Sequence, residues 1–371
     1  MHYEIAGGPR SATLVALVGG VPAGLRIREE SLACDLQRWA RAHGCENLPA
    51  SPVVCSGVSA GTTTGAPVAI ALDNAARGEG APARSVACPG TAELAAAAKY
   101  DADDLSSIAE RADACLDAMR VVAAGVAREF LAEFDVEMLS CTTRIGRAAM
   151  REASFASDAP PTPFSIEASP LRCPSPSAAR AMEDEIERAR LQGDSLGGSF
   201  SLCATGVVAG LGGLQGEGGG LLARLAAAVF GVEGVIGVEF GEPGRFERQG
   251  SQTIDAVTVD HAAGFSRASN RAGGIEGGVS TGLPLVMQAH VLAPARRARA
   301  QESVDAATLE SRPYTPERPV CCDVVEKAIV AESAAAFALA SAYTEKFGAD
   351  AMGDIHAAAA SYARRLALSA R

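Results

Sequence analysis

Between Asp104 and Phe134 the residues Ile108, Cys115, Met119, Val122, Val126 and Phe130 recur at spacings of three, four and seven. That period draws one apolar face along a helix. Ala123, Ala124 and Gly125 crowd the same segment with almost no side chain, so another backbone can approach it closely. The segment reads as one continuous helix that needs a tightly packed neighbour.

The flanking segments alternate in type. Thr13–Val18, Val53–Val58, Ala66–Leu72, Phe200–Val208, Val235–Phe240 and Leu283–Leu292 read as strands, the second and third as a hairpin-like pair around Gly61-Thr-Thr-Thr-Gly65. Helical stretches run from Ile27 to about Ala42, over Ala92–Ala98, from Ser175-Pro176 to Leu191, and over Leu221–Val229, Val324–Tyr343 and Ala351–Leu368. Ser175 reads as an N-cap followed by proline at the first helical position. Phe155–Pro176 reads as a Pro/Ser-rich loop, and Gly210–Gly220 and Gly273–Gly282 as glycine-rich loops. Strands and helices interleave without a regular βαβ rhythm, which excludes a doubly wound sheet and points to α+β or a layered sandwich.

A chain of 371 residues with 48% apolar and 21% charged residues can bury a sizeable core. Its net charge of −11 is the wrong sign for a non-specific nucleic-acid binder. No apolar run is long enough to span a membrane. Ala12–Val18 imitates a signal core but stops at Gly19-Gly20, with Glu4 before it. The ten cysteines include no Cys-x-x-Cys, and the adjacent Cys321-Cys322 pair is a poor chelate, so they read as reduced, mostly buried cytosolic thiols. His2, His43, His261, His290 and His356 are scattered, which argues against zinc. The Gly210–Gly220 spacing does not fit a dinucleotide fingerprint.

The order of several short segments carries more information. These are Gly20-Val-Pro-Ala-Gly24, Ser56-Gly57 with Gly61-Thr-Thr-Thr-Gly65-Ala-Pro67, Pro89-Gly90 through Lys99-Tyr100, and Glu110-Arg111-Ala112 leading to Arg120. Further on come Arg172-Cys173-Pro174, Gly193–Gly198, Gly237-Val-Glu239, Asn270–Gly282, Val330-Ala-Glu332 and Lys346-Phe347-Gly348. Collinear and at nearly constant spacing, they resemble the chorismate synthase family, in the form found in Gram-positive bacteria, over nearly the whole chain. The resemblance implies a β-α-β sandwich with a helical layer between antiparallel sheets, one domain over 1–371, and assembly as a homotetramer or dimer. It implies a cytoplasmic enzyme that eliminates phosphate from 5-enolpyruvylshikimate 3-phosphate to give chorismate, with reduced FMN as cofactor.

The same resemblance locates departures. The family's first catalytic histidine falls on Arg10 and its second on Thr91; its C-terminal aspartate falls on Val320. Arginine does not titrate near neutrality and threonine is no proton shuttle. The family's FMN site falls on Arg111, Ala112, Asp113, Glu233, Gly234, Gly278, Ala293, Pro294, Ala295, Arg296, Arg297 and Arg318. The flavin-contacting Lys-Pro-Ile-Ser-Thr becomes Ala293–Arg297, and the Arg/Gly-rich stretch after the first helix becomes Trp39–Pro52. The scaffold glycines stay while the polar chemistry goes. Arg111, Arg318 and Arg271 survive, and Arg10, Arg296 and Arg297 are new or displaced cations. Three readings remain open: a catalytically impaired homologue or pseudoenzyme, an active enzyme with an unusual proton route, and a binder of another small ligand, including a small anion, in the old pocket.

Overall fold

Strict alternation builds the first sheet. Leu14, Ala16 and Val18 of Thr13–Gly19 are buried while Thr13 and Leu17 are exposed, the signature of a strand with one face on the core. This strand pairs antiparallel with His2–Ala6 on one side and with Val68–Asp73 on the other, and Val53–Ser56 completes four strands. The second sheet has five strands, also antiparallel, in the order Val235–Phe240, Leu285–Val291, Gly198–Thr205, Glu137–Ile145 and Ala148–Ala149. The computed structural model describes residues 1–44, 51–74, 83–112, 114–150, 155, 160–214, 220–260 and 264–368.

Helices fill the space between the sheets. Ala114–Ala132 packs on Thr13–Gly19 and against the helix Val324–Phe347, which in turn lies on Glu137–Ile145 and Gly198–Thr205. Val324–Phe347 is buried on nearly every face, as befits a helix with neighbours all round. One apolar cluster runs from Leu14 and Ile70 through Phe130 and Ile329 to Phe200 and Met287, joining both sheets to the helical layer. The sandwich inferred from the sequence is the observed architecture.

Gly125 is the close-approach point. A Cβ there would stand 2.2 Å from Leu32 Cδ2, so Leu32 of the helix Glu29–His43 seats in the gap left by the missing side chain. Gly198 does the same for the second sheet, since a Cβ would stand 2.1 Å from the Arg144 carbonyl oxygen.

Two readings need correction. The stretch Asp104–Phe134 is not one helix. It breaks into Leu105–Ala109, a 3-10 turn Glu110–Ala112, and Ala114–Ala132. Asp104 caps the first piece by accepting from Ser106 N, and the turn falls where Glu110 is held by Arg10 and Arg111 by the Tyr100 ring. The supposed Pro/Ser loop contains a short helix, Pro163–Glu167, started by a Thr162–Ser165 capping box with proline in its first turn. Ser175 does stand at the N-cap of Pro176–Leu191, but its hydroxyl lies by Ser177 Oγ and makes no cap bond.

Candidate functional site

A cleft of about 890 Å³ opens where the helical layer meets the ends of both sheets. Its inner wall is made by three helices. Trp39, Ala42 and His43 come from the last turns of Glu29–His43, and Cys115 and Ala118 from the start of Ala114–Ala132. Asp323, Glu326 and Lys327 come from the N-cap and first turn of Val324–Phe347. Gly44 stops the first of these helices in the left-handed region (φ 76°), donating its N–H to the Ala40 and Arg41 carbonyls. That stop leaves the His43 ring at the cleft.

The opposite walls are loops and the strand ends they join. Glu233–Ile236, Leu292–Arg296 and Arg318–Val320 form one, bound together where Val320 N donates to the Arg296 carbonyl at 2.7 Å. Pro9, Leu72–Asn74 and Gly90-Thr91 form another. Asn74 Nδ2 donates to the Ser11 carbonyl at 3.0 Å, which fixes the segment carrying Arg10. Glu93 accepts from Cys88 N at 2.8 Å while paired with Arg84 at 2.6 Å, which fixes the turn carrying Thr91.

The site residues read from the sequence divide in two. Thr91, Glu233, Gly234, Ala293, Pro294, Ala295, Arg296, Arg318 and Val320 line the cleft together, although they lie far apart in the chain. Arg10, Arg111, Arg297 and Gly278 lie outside its wall. Arg10 pairs with Glu110 at 2.5 Å, and the Arg111 guanidinium stacks 4.2 Å from the Tyr100 ring centroid. Arg297 pairs with Asp194 at 3.3 Å, and the Gly278 carbonyl accepts from Leu221 N beside the other glycine-rich loop. Ala112 ends the 3-10 turn, and Asp113 lies outside the described residues, as does the 45–50 part of Trp39–Pro52.

The structure adds residues that no motif had marked. His43 Nδ1 lies 2.8 Å from Glu326 Oε2, and the His43 ring stacks on Trp39 at 4.9 Å between centroids, 11° from parallel. Lys327 Nζ donates to Asp117 Oδ2 at 3.0 Å. Burial alone would lower the Lys327 pKa, but Asp117, Glu326 and Asp323 outweigh it and hold it above its ordinary value. Burial pushes the Asp323 carboxyl up to about 6; Lys327 opposes this, while Glu326 and Glu233 add to it. Trp39 Nε1, a donor, and Asp323 Oδ1, an acceptor, are both buried with no hydrogen-bond partner among the described residues. Each such group costs roughly 1–3 kcal/mol until something satisfies it.

Asp323 therefore opposes folding near neutrality. Its native carboxyl holds a proton to about pH 6, whereas the unfolded chain loses it near the ordinary 3.8, so stability falls as pH rises through that window. Asp323→Asn is expected to stabilise the protein by about 2–3 kcal/mol at neutral pH, and by only about 0.5 kcal/mol at about pH 4. Urea unfolding curves at the two pH values check this, and an equal effect at both would refute it.

The comparisons agree with the geometry. The sequence model of one family, described as chorismate synthase, matches residues 1–344. The chorismate synthase of Rubrobacter xylanophilus is 37% identical, with 100% of this chain and 98% of the relative covered. That of Anaeromyxobacter sp. strain K is 34% identical with 99% of each covered, and that of Bacillus licheniformis is 32% identical with 96% of each covered. A crystal structure of a chorismate synthase superposes with a TM-score of 0.82 at 27% identity, covering 99% of this chain and 98% of that one. With a family match over most of its length, relatives above 30% identity and the same sandwich, this chain belongs to the chorismate synthase family.

Proposed function

We propose that this chain keeps the chorismate synthase fold and cleft but is catalytically impaired, a pseudoenzyme of the family. One observation carries the reading: neither side chain at the positions aligned with the family's histidines is a proton shuttle. Thr91 Oγ1 donates to the Cys88 carbonyl at 2.8 Å, and Arg10 is tied to Glu110. A guanidinium stays protonated throughout the neutral range, and a hydroxyl has no accessible charge state there. Val320, aligned with the family's aspartate, offers no carboxylate. The test is an anaerobic assay for chorismate from 5-enolpyruvylshikimate 3-phosphate with reduced FMN.

The donor set of the cleft does not fit FMN. The inner wall presents Asp323 and Glu326, its one lysine is engaged by Asp117, and Glu233 faces the same space. Each carboxylate opposes a phosphate or an anionic flavin by about 1 kcal/mol or more when partly buried. Among the described residues, Arg296 and Arg318 are the cations left to offset this, at about 1.5–3 kcal/mol per charge-assisted bond. The purified protein is expected to be colourless and to bind FMN at least about 100-fold more weakly than a relative with an intact site. Flavin fluorescence quenching measures this, and sub-micromolar binding would overturn it.

We place the protein in the cytoplasm as a homotetramer or dimer, the assembly the resemblance implies. No helix among the described residues is long and apolar enough to cross a membrane.

A further inference from the structure

A second cavity, of about 1090 Å³, shares the helix Glu29–His43 with the cleft, and Ala42 is on the wall of both. Arg38, Arg172 and Glu167 line it, and both arginines converge on one atom, Glu167 Oε1. Arg38 Nε donates to that oxygen at 3.1 Å, and Arg172 Nη1 donates to it as well. The two donors are aimed from behind. Arg38 Nη1 donates to Asp35 at 2.9 Å and Nη2 to Glu332 at 3.2 Å, while Arg172 Nη2 donates to the Ser140 carbonyl at 2.8 Å. The Arg172 side chain is 5% exposed and that of Glu167 is 40% exposed. Fixed guanidinium N–H groups thus meet a carboxylate that solvent already reaches.

The charges around these donors are uneven. Arg38, Arg128 and Arg172 face two enclosed carboxylates, Asp35 and Glu332. One positive charge is left over, and Glu167 is the anion that meets it. Burial pushes the Arg172 guanidinium below its ordinary pKa and Arg38 adds to this, while Glu332 and Glu167 oppose it. The position of Glu167 Oε1 therefore calls for a negative oxygen, whichever molecule supplies it. Glu167 is poorly served by its own backbone. It ends the five-residue helix Pro163–Glu167, where the helix dipole disfavours a carboxylate. Asp135 and Glu137 line the cavity too, but among the described residues neither bonds these arginines. Arg41, one turn beyond Arg38, lines it without an ion pair among the described residues. Leu139, Pro163, Pro170 and Val325 add apolar wall.

We propose that Arg38 and Arg172 form an anion site that Glu167 fills from within, and that the carboxylate of a small apolar acid takes its place. One oxygen of that carboxylate accepts from Arg38 Nε and Arg172 Nη1, as Glu167 Oε1 does. The hydrocarbon body lies in the cavity against its apolar wall. The displaced Glu167 side chain turns into the solvent it already meets. The site is separate from the cleft and does not depend on whether the cleft is catalytically impaired.

Calorimetric titration of the full-length protein with phenylacetate tests this. Phenylacetamide keeps the body and lacks the charge, and acetate keeps the charge and lacks the body. Phenylacetate is expected to bind the parent protein saturably in the millimolar range, and the other two at least about tenfold more weakly. Glu167→Gln removes the competing charge while its amide oxygen still accepts from both arginines. It is expected to fold and to bind phenylacetate at least about tenfold more tightly than the parent. Glu167→Asp draws the carboxylate back by one methylene and is expected to tighten binding in the same direction, so it decides the matter if the glutamine variant does not fold. No saturable heat from phenylacetate with the parent protein overturns the proposal. Either control compound binding as tightly as phenylacetate does so too. Affinity unchanged in the folded variant also overturns it, since the acid would then sit elsewhere, at Arg296 and Arg318 of the cleft for example.

Discussion

Given 5-enolpyruvylshikimate 3-phosphate and reduced FMN without oxygen, the protein is expected to form chorismate at least about 10⁴-fold more slowly than a relative carrying both histidines. A positioned acid or base contributes about 10²–10⁴ in rate, and two such positions are altered. Thr91 donates its hydroxyl to a backbone carbonyl, and Arg10 sits in an ion pair beyond the cleft wall. Substrate positioning by Arg296 and Arg318 is what remains, and it sets the residual rate. Chorismate absorbance and released phosphate report together. A rate within about tenfold of such a relative would mean that another group moves the proton, and the pseudoenzyme reading would fall.

Replacing Glu332 with alanine is expected to cost about 3–5 kcal/mol, enough to lower the melting temperature by roughly 4–6 °C. Glu332 is fully buried in the helix Val324–Phe347. It accepts from Arg128 Nη1 at 2.6 Å, Arg38 Nη2 at 3.2 Å and Ser140 Oγ at 2.5 Å, with Arg172 Nη2 at 3.5 Å. Burial alone would raise its pKa, but Arg38, Arg128 and Arg172 outweigh this and hold the carboxyl far below the usual range. Its removal leaves three guanidiniums, all more than four-fifths buried, facing one another with part of their compensation gone. The arginines come from three separate parts of the chain, so the node ties the helical layer to the second sheet. Thermal melts of Glu332→Ala and Glu332→Gln measure the effect. A shift of less than about 2 °C in both would show that the network carries no net stability.

The strands whose sequences alternate were legible, and so was the need for a close neighbour at Gly125. Glu137–Ile145 was not, because Ser140, Cys141 and Thr142 are all buried and mask the two-residue period. His2–Ala6 is a short edge strand without a buried residue, and it carried no pattern strong enough to read. At the cleft, the resemblance led to the loop residues because they lie in motifs. It said nothing of the His43–Glu326 pair, whose members are 283 residues apart and belong to no shared motif. His43 stood in the sequence as one of five scattered histidines. Only the packing of two helix ends brings it to a carboxylate.

The seating of Leu32 against Gly125 has a consequence for the cleft some distance away. Leu32 and His43 lie on one helix, eleven residues apart, so about 16 Å of rigid rod separates them. The notch acts as an axial stop for that rod. A side chain added at position 125 would displace the Leu32 methyl that fills the notch, and to the extent that the helix shifts to make room, Trp39 and His43 travel with it. The alignment of the cleft is thus indexed from the core, by a residue that has no side chain and never touches a ligand.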